Sequence, residues 1–165
     1  MALVYPRKTD LARTPTPLQF LERASAQWGG NHRLWVKRDD LTGSVLSGNK
    51  VRKLEFITAH ALDNGYDTLI TCGGIQSNHC RATALVCAQL GLSAHLLLRG
   101  ERRGAPDGNL MLDYLAGASV SCYPARQYFS EIDELFEQWQ AHYAERGRRA
   151  LAVPTGGSDG IGVWG

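Results

Sequence analysis

Two stretches of this 165-residue chain combine residue types that do chemistry. The first is Ser47-Gly48-Asn49-Lys50, which opens a helical pattern with Asn49 as its predicted N-cap. Lys50, Arg52 and Lys53 then fall in the first turn, where each cation faces the positive pole of the helix dipole at a cost of about 0.3 to 1 kcal/mol. Either solvent screens an exposed turn, or an anion such as a phosphate or carboxylate is held at this helix start. A lysine so placed is a candidate nucleophile, able to form a Schiff base with a carbonyl compound. The second stretch is Cys72-Gly73-Gly74-Ile75-Gln76-Ser77-Asn78-His79, running from a strand end through a glycine turn into a helix. Glycines let backbone approach a ligand, Ser77 is a natural N-cap, and the N–H groups of a first turn attract anions. The same residues also describe a tight turn capped by serine and nothing more. The pattern is neither G-x-G-x-x-G nor a P-loop, so a nucleotide reading is weak. Cys72, His79, Cys80 and Cys87 contain no C-x-x-C or H-x-x-x-H pair, so no metal site is predicted. Cys80 and Cys87, seven residues apart on one helix, read as small core residues.

Both stretches need elements to position them. A helix is predicted from Leu18 to about Gln27, a strand over Arg33 to Arg38, and a loop from Asp39 to Gly48. From Asn49, apolar positions recur at helical spacing until Asn64-Gly65. Strands over Thr68 to Cys72, Ala94 to Leu98, Ser119 to Tyr123 and Ala150 to Val153 then alternate with helices over Ser77 to Leu90, Asn109 to Ala116 and Glu131 to Arg146. Such alternation implies an α/β fold, a parallel sheet with helices on both faces, and places Lys50 and Ser77 near one crevice at its carboxyl edge. Phe136 and Trp139 read as core. Arg99, Arg102 and Arg103 around Glu101, and Arg146, Arg148 and Arg149, read as solvated surface. His32, His60, His95 and His142 show no partner in the pattern.

Eighteen Lys and Arg against sixteen Asp and Glu leave a net charge of +2, too little for affinity built on nucleic-acid phosphates. No apolar run is long enough to span a membrane. Four cysteines, three of them placed within strand and helix patterns, fit reduced thiols in a cytoplasmic protein, and the first ten residues meet charge and proline before any signal-like apolar core. Five of the eighteen glycines lie in the last ten residues, so the chain is expected to stop inside a turn of something longer, leaving Ile161, Val163 and Trp164 unpaired.

Four motifs in order, Arg38-Asp39-Asp40, Gly48-Asn49-Lys50-x-Arg52-Lys53-Leu54-Glu55-Phe56, Gln76-Ser77-Asn78-His79-x-Arg81 and Pro154-x-Gly156-Gly157-Ser158, carry a likeness that runs from about Pro15 to the last residue. They resemble the D-cysteine desulfhydrase and 1-aminocyclopropane-1-carboxylate deaminase family, pyridoxal-phosphate enzymes of the tryptophan-synthase-β fold type. The resemblance implies that Lys50 holds pyridoxal 5'-phosphate and moves the α-proton, and that Asn78 hydrogen-bonds the cofactor's ring oxygen. Ser77, with the N–H groups beside it, would hold the substrate carboxylate and serve as nucleophile or proton relay. Asn78 and His79 would join it in substrate binding. His79 is closer to the desulfhydrase branch, since deaminases resemble Gln there.

The implied domains are 1–48, an N-terminal arm belonging to a larger domain; 49–155, a smaller parallel α/β domain carrying the cofactor lysine; and 156–165, the glycine-rich start of a C-terminal part. The implied reaction converts D-cysteine to sulfide, pyruvate and ammonia. Alternatives are aminocyclopropane-carboxylate deamination, cysteate sulfo-lyase activity, or a binding module without turnover. Further implications are a small amino-acid substrate, a homodimer in a full-length form, and neither nucleic acid nor membrane as partner. The phosphate loop of family members lies in a second half, so this chain alone is expected to bind the cofactor weakly and not to turn over.

Overall fold

The computed structural model describes residues 4–101 and 104–165. A two-stranded antiparallel sheet comes first, β1 (Leu18–Phe20) against β2 (Trp35–Lys37), with the short helix α1 (Glu22–Trp28) between them. Then follow α2 (Lys50–Asp63), β3 (Thr68–Gly74), α3 (Asn78–Leu90), β4 (Ser93–Arg99), α4 (Gly108–Leu115), β5 (Ser119–Tyr123), α5 (Ala125–Ala144) and β6 (Ala150–Val153). The last four strands form one parallel sheet in the order β5-β4-β3-β6.

Successive side chains of a strand point to opposite faces, so a strand covered on both faces is mostly apolar, with its buried polar side chains hydrogen-bonded. In β3, Leu69 packs with Leu54 and Ile57 of α2, Cys80 and Val86 of α3 and Leu110 of α4, while Ile70 and Cys72 pack with Tyr128, Leu135 and Phe136 of α5. Leu96 and Leu98 of β4 join the first cluster and Leu97 the second. The result is the expected three-layer α/β arrangement. The chain winds outward from β3 to β4 and β5, then returns through α5 on the other face to place β6 on the free edge of β3. Loops leaving β3 and β6 at their carboxyl ends therefore diverge, which opens a crevice at a topological switch point.

Three expectations change. Leu18–Phe20 is a strand, because its backbone pairs with Trp35–Lys37, and the helix begins only at Glu22 and buries no residue. The fifth helix begins at Ala125, directly after Pro124, and so brings Tyr128 into the core ahead of the predicted start. Asn49 is helical and makes no side-chain cap. The turn before α2 is instead tied by Gly48 N–H bonds to the Asp39 carbonyl and the Thr42 hydroxyl, with Gly48 at φ 105°.

The expectation that Arg148 is solvated surface also changes: it donates to Asp67 and Ser93, joining the β3 and β4 starts. Arg99 stays exposed and stacks on Phe129, its guanidinium carbon 4.8 Å from the ring centroid. Arg102 and Arg103 lie outside the described residues, as do residues 1–3 of the N-terminal segment. The glycine-rich end is packed. Ile161 touches the core and Trp164 meets the Tyr5 ring edge-on at 5.6 Å, whereas Val163 is exposed.

The N-terminal segment straps α2. Buried Glu55 accepts from Lys8 Nζ and from the backbone N–H groups of Leu11 and Ala12, and Thr9 N–H donates to its carbonyl. His95 has partners the pattern did not show: its ring nitrogens meet the Ser121 and Tyr143 hydroxyls, and its ring sits 4.0 Å from that of Trp139. Trp139 in turn donates to the Tyr123 hydroxyl.

Burial holds His95 neutral, pushing it down to about 4, with His142 acting in the same direction. An unfolded histidine titrates near 6.5, so this contribution to stability is complete above about pH 6.5 and is lost as pH falls through about 4. His95→Gln should therefore cost about 1 to 3 kcal/mol at pH 7.5 and much less near pH 4. Urea midpoints at the two pH values check this; an equal deficit at both would show that protonation of His95 is not linked to folding.

Candidate active site

Lys50 opens α2, and its amine reaches the turn after β6. A Cβ on Gly156, which sits at φ 70°, would lie 3.3 Å from Lys50 Nζ. Nζ has no hydrogen-bond or ion-pair partner among the described residues. The other first-turn cations are engaged. Arg52 forms a two-point pair with Asp39, through Nε to Oδ2 and Nη2 to Oδ1 at 2.8 Å each, and Lys53 Nζ donates to Ser158 Oγ at 2.8 Å. The Arg52 hydrogen bonds hold the Asp39 carboxyl below its usual range. Of the three unfavourable charges at this helix start, one is neutralised from outside the helix and one is held by the turn that follows β6.

Lys50 shares a crevice of about 340 Å³ with Asn78, Arg81, Lys37, Asp39 and Asp40. Both acids are committed, Asp39 to Arg52 and Asp40 to Arg38, so the lining presents an excess of cations. Arg81 donates to the Ser47 carbonyl and to Asn109 Oδ1. Behind it, the fully buried Asp113 carboxyl has no hydrogen-bond partner among the described residues and is pushed up to about 7 by burial, against the opposing pull of Arg81.

Ser77 caps α3 as predicted, its hydroxyl oxygen accepting from Cys80 N–H at 3.2 Å. The cap leaves the backbone N–H groups of Asn78 and His79 as donors of the helix start. The His79 side chain turns away from the crevice and is buried. The Thr71 hydroxyl donates to the Val153 carbonyl at 2.8 Å and so accepts from His79 Nε2 at 2.9 Å, which leaves Nδ1 buried without a partner among the described residues. Burial first, then the Lys50 and Lys53 charges, push His79 down to about 4, so the imidazole is neutral. Burial pushes the Cys80 and Cys87 thiols up to about 12, as suits core residues.

The structure thus brings Lys50 and Asn78 together and keeps the His79 imidazole behind the wall. Arg81 lies inside one of the four motifs, where the sequence assigns it no role, and Asn109 reads there only as a helix start. The Asp107-Gly108-Asn109 turn is the available signal.

Comparison with known proteins defines the class. The profile described as Pyridoxal-phosphate dependent enzyme matches residues 9–163, and the chain belongs to this family. It is 44% identical over 162 residues to the bifunctional D-cysteine desulfhydrase/1-aminocyclopropane-1-carboxylate deaminase, mitochondrial, of Arabidopsis thaliana, covering 94% of this chain and 40% of that protein. It is 40% identical over 167 residues to the D-cysteine desulfhydrase of Klebsiella pneumoniae, covering 98% and 49%. The crystal structure of an ACC deaminase homologue superposes with a TM-score of 0.86 at 36% identity, over 95% of this chain and 47% of that one. The chain spans about half the length, or less, of the relatives it matches.

The residues present fit the family's cofactor. The missing side chain of Gly156 leaves room at Lys50 Nζ, an amide stands beside it, and the cationic lining suits a phosphate.

Gly73 fixes this geometry from below. A Cβ there would fall 2.6 Å from Ser77 Oγ and 2.9 Å from Cys80 Sγ. Gly73→Ala should lower stability by about 1 to 3 kcal/mol and expose the Cys80 amide to hydrogen exchange, because the cap must move. An unchanged urea midpoint with unchanged protection at Cys80 would refute the packing assigned to Gly73.

Proposed function

We propose that the protein is a pyridoxal-phosphate-dependent lyase of small amino acids, acting on D-cysteine and water to give sulfide, pyruvate and ammonia. The observation that supports this most is the unpartnered Lys50 amine facing Gly156 beside Asn78, at the switch point of the sheet. Lys50 Nζ would hold the aldehyde carbon of the cofactor and, as the free amine once the substrate's amino group has taken its place there, would take up the α-proton of the substrate. The cofactor's pyridine ring supplies an electron sink for the carbanion left at Cα. Asn78 donates to the ring oxygen. Ser77, with the N–H groups of Asn78 and His79, holds the substrate carboxylate and places its α-carbon near Lys50. His79 contributes through its backbone, because its imidazole is committed to Thr71.

The segments of residues 1–48 and 156–165 play supporting parts in this reading. The hairpin of β1 and β2 exposes Leu18 and Trp35 and has only two strands, which suits an arm completed by a second domain. The 156–165 segment brings Gly156 against the Lys50 amine. A homodimer and a cytoplasmic location complete the reading.

Borohydride reduction in the presence of pyridoxal 5'-phosphate, followed by peptide mapping, should place the pyridoxyl label on Lys50. Label spread over Lys8, Lys37, Lys50 and Lys53 would remove Lys50 from its role. In a full-length form, sulfide and pyruvate release from D-cysteine should vanish in Lys50→Ala, and release of a four-carbon 2-oxo acid from aminocyclopropane carboxylate would assign the deaminase reaction instead. Ser77→Ala should cost about 0.5 to 2 kcal/mol as a lost cap and, in a full-length form, also lower turnover per folded molecule. Lost stability with unchanged kinetics would leave Ser77 a cap only.

A further inference from the structure

Asn109, in the first turn of α4, is the centre of a closed set of polar contacts behind Asn78. Its Oδ1 accepts from Arg81 Nη1 at 3.1 Å, and a guanidinium only donates, so the atom facing Arg81 is the oxygen. Its Nδ2 donates to the Gln76 carbonyl at 2.8 Å and to Asn78 Oδ1 at 3.0 Å. A backbone carbonyl only accepts, so Gln76 enforces the same orientation independently. The oxygen of the Asn78 amide is therefore tied back to α4. Its Nδ2 is left without a hydrogen-bond partner among the described residues, on an exposed side chain that lines the Lys50 crevice.

The clamp is locked in place twice. Asn109 N–H donates to Gln76 Oε1 at 2.8 Å while Gln76 Nε2 donates to Asp107 Oδ1 at 3.0 Å. Between those two residues stands Gly108 at φ 51°, where a Cβ would meet Gln76 Oε1 at 2.6 Å, so a side chain there would push the clamp apart. Arg81 adds a third tie, because its Nη2 donates to the Ser47 carbonyl at 3.2 Å. One guanidinium thus joins the loop that delivers Lys50 to the residue that orients Asn78.

We propose that Asn109, held by Arg81 and the Gln76 carbonyl, is a positioning residue that fixes the amide polarity of Asn78 so that the crevice wall beside Lys50 donates a hydrogen bond to an anionic ring oxygen. The choice of ligand rests on the reading of Asn78 as a cofactor contact; the polarity itself does not. A free amide can turn over, and its carbonyl oxygen would then repel the same anionic acceptor. The constraint comes from α4, an element with no residue of its own among the crevice's chemical groups.

The decisive variant is Asn109→Asp, which keeps size and the acceptor for Arg81 but removes both donors. An acidic residue also suits a helix's first turn, which favours folding of the variant. In the side-chain amide 15N–1H spectrum of the cofactor-free chain, the parent should show both Asn109 Nδ2 protons protected from exchange and the Asn78 pair, assigned by its loss in Asn78→Ala, exchanging as an open amide. Asn109→Asp should turn the Asn78 amide over and shift and protect one of its protons. Rapid exchange at Asn109 in the parent, or an Asn78 pair unmoved by the substitution, overturns the proposal. Should Asn109→Asp not fold, Asn109→Ala serves, and the Asn78 pair should then collapse toward the shifts of a freely rotating amide.

With pyridoxal 5'-phosphate as the probe, Asn109→Asp and Asn78→Ala should each weaken binding roughly tenfold, the scale of one hydrogen bond, and the double variant should be no weaker than either. Additive losses would mean that Asn109 acts through general stability and not through Asn78, against the proposal. If the parent chain takes up no cofactor at all, the cofactor reading of the site fails, while the amide spectrum still decides whether Asn109 orients Asn78.

Discussion

Strand β3 is hydrogen-bonded along both edges and covered on both faces, and the other parts of the molecule take their positions from it. Parallel pairing with β4 and β6 leaves no solvent to satisfy its backbone, and its side chains divide between α2, α3 and α4 on one side and α5 on the other. Because β4 and β6 are reached by crossovers on opposite faces, the loops at the carboxyl ends of β3 and β6 must part. The Ser77 turn leaves in one direction and the Gly156 turn in the other. Lys50 enters the gap from α2.

Charge is arranged around that gap with the same economy. Cations at the start of α2 oppose its dipole, but Asp39 neutralises Arg52 and the Ser158 hydroxyl receives Lys53, so the lysine without a partner is the one facing Gly156. Asp39 can do this because Thr16 also donates to it and Gly48 N–H binds its carbonyl, which ties the loop before α2 to the N-terminal segment. Glu55 repeats the device one turn further on, gathering Lys8, Leu11 and Ala12. The strap thus sets the angle at which α2 presents Lys50.

Behind the crevice the polar groups are neutral or directional. His79 is uncharged and spends its N–H on Thr71, which passes the tie to the Val153 carbonyl and so joins α3, β3 and β6 at the switch point. Asn109 can face Asn78 only as a donor, because Arg81 and the Gln76 carbonyl leave it no other orientation. The cationic lining and the donor amide belong to one design: both favour an anionic ligand with an acceptor near the lysine.

Much of this was written locally. Alternation of apolar runs with helical spacing specified the α/β order, since burial on both faces demands continuous apolar strands such as the run Leu96-Leu97-Leu98, and Ser77 announced its own cap. The ordered motifs around Lys50, Ser77 and Gly156 marked the family. Local reading misplaced Leu18–Phe20, because a three-residue strand exists only through its partner, and it missed the start of α5, because Tyr128 is a core residue only once β3 lies under it. It also took the first-turn cations as one group. Only the tertiary structure separated them, by bringing Asp39 from 13 residues before Arg52 and Ser158 from 105 residues after Lys53. The residue types of the site were thus set by sequence, while the direction of each side chain, His79 inward and the Asn78 amide outward, was decided by contacts made across elements distant in the chain.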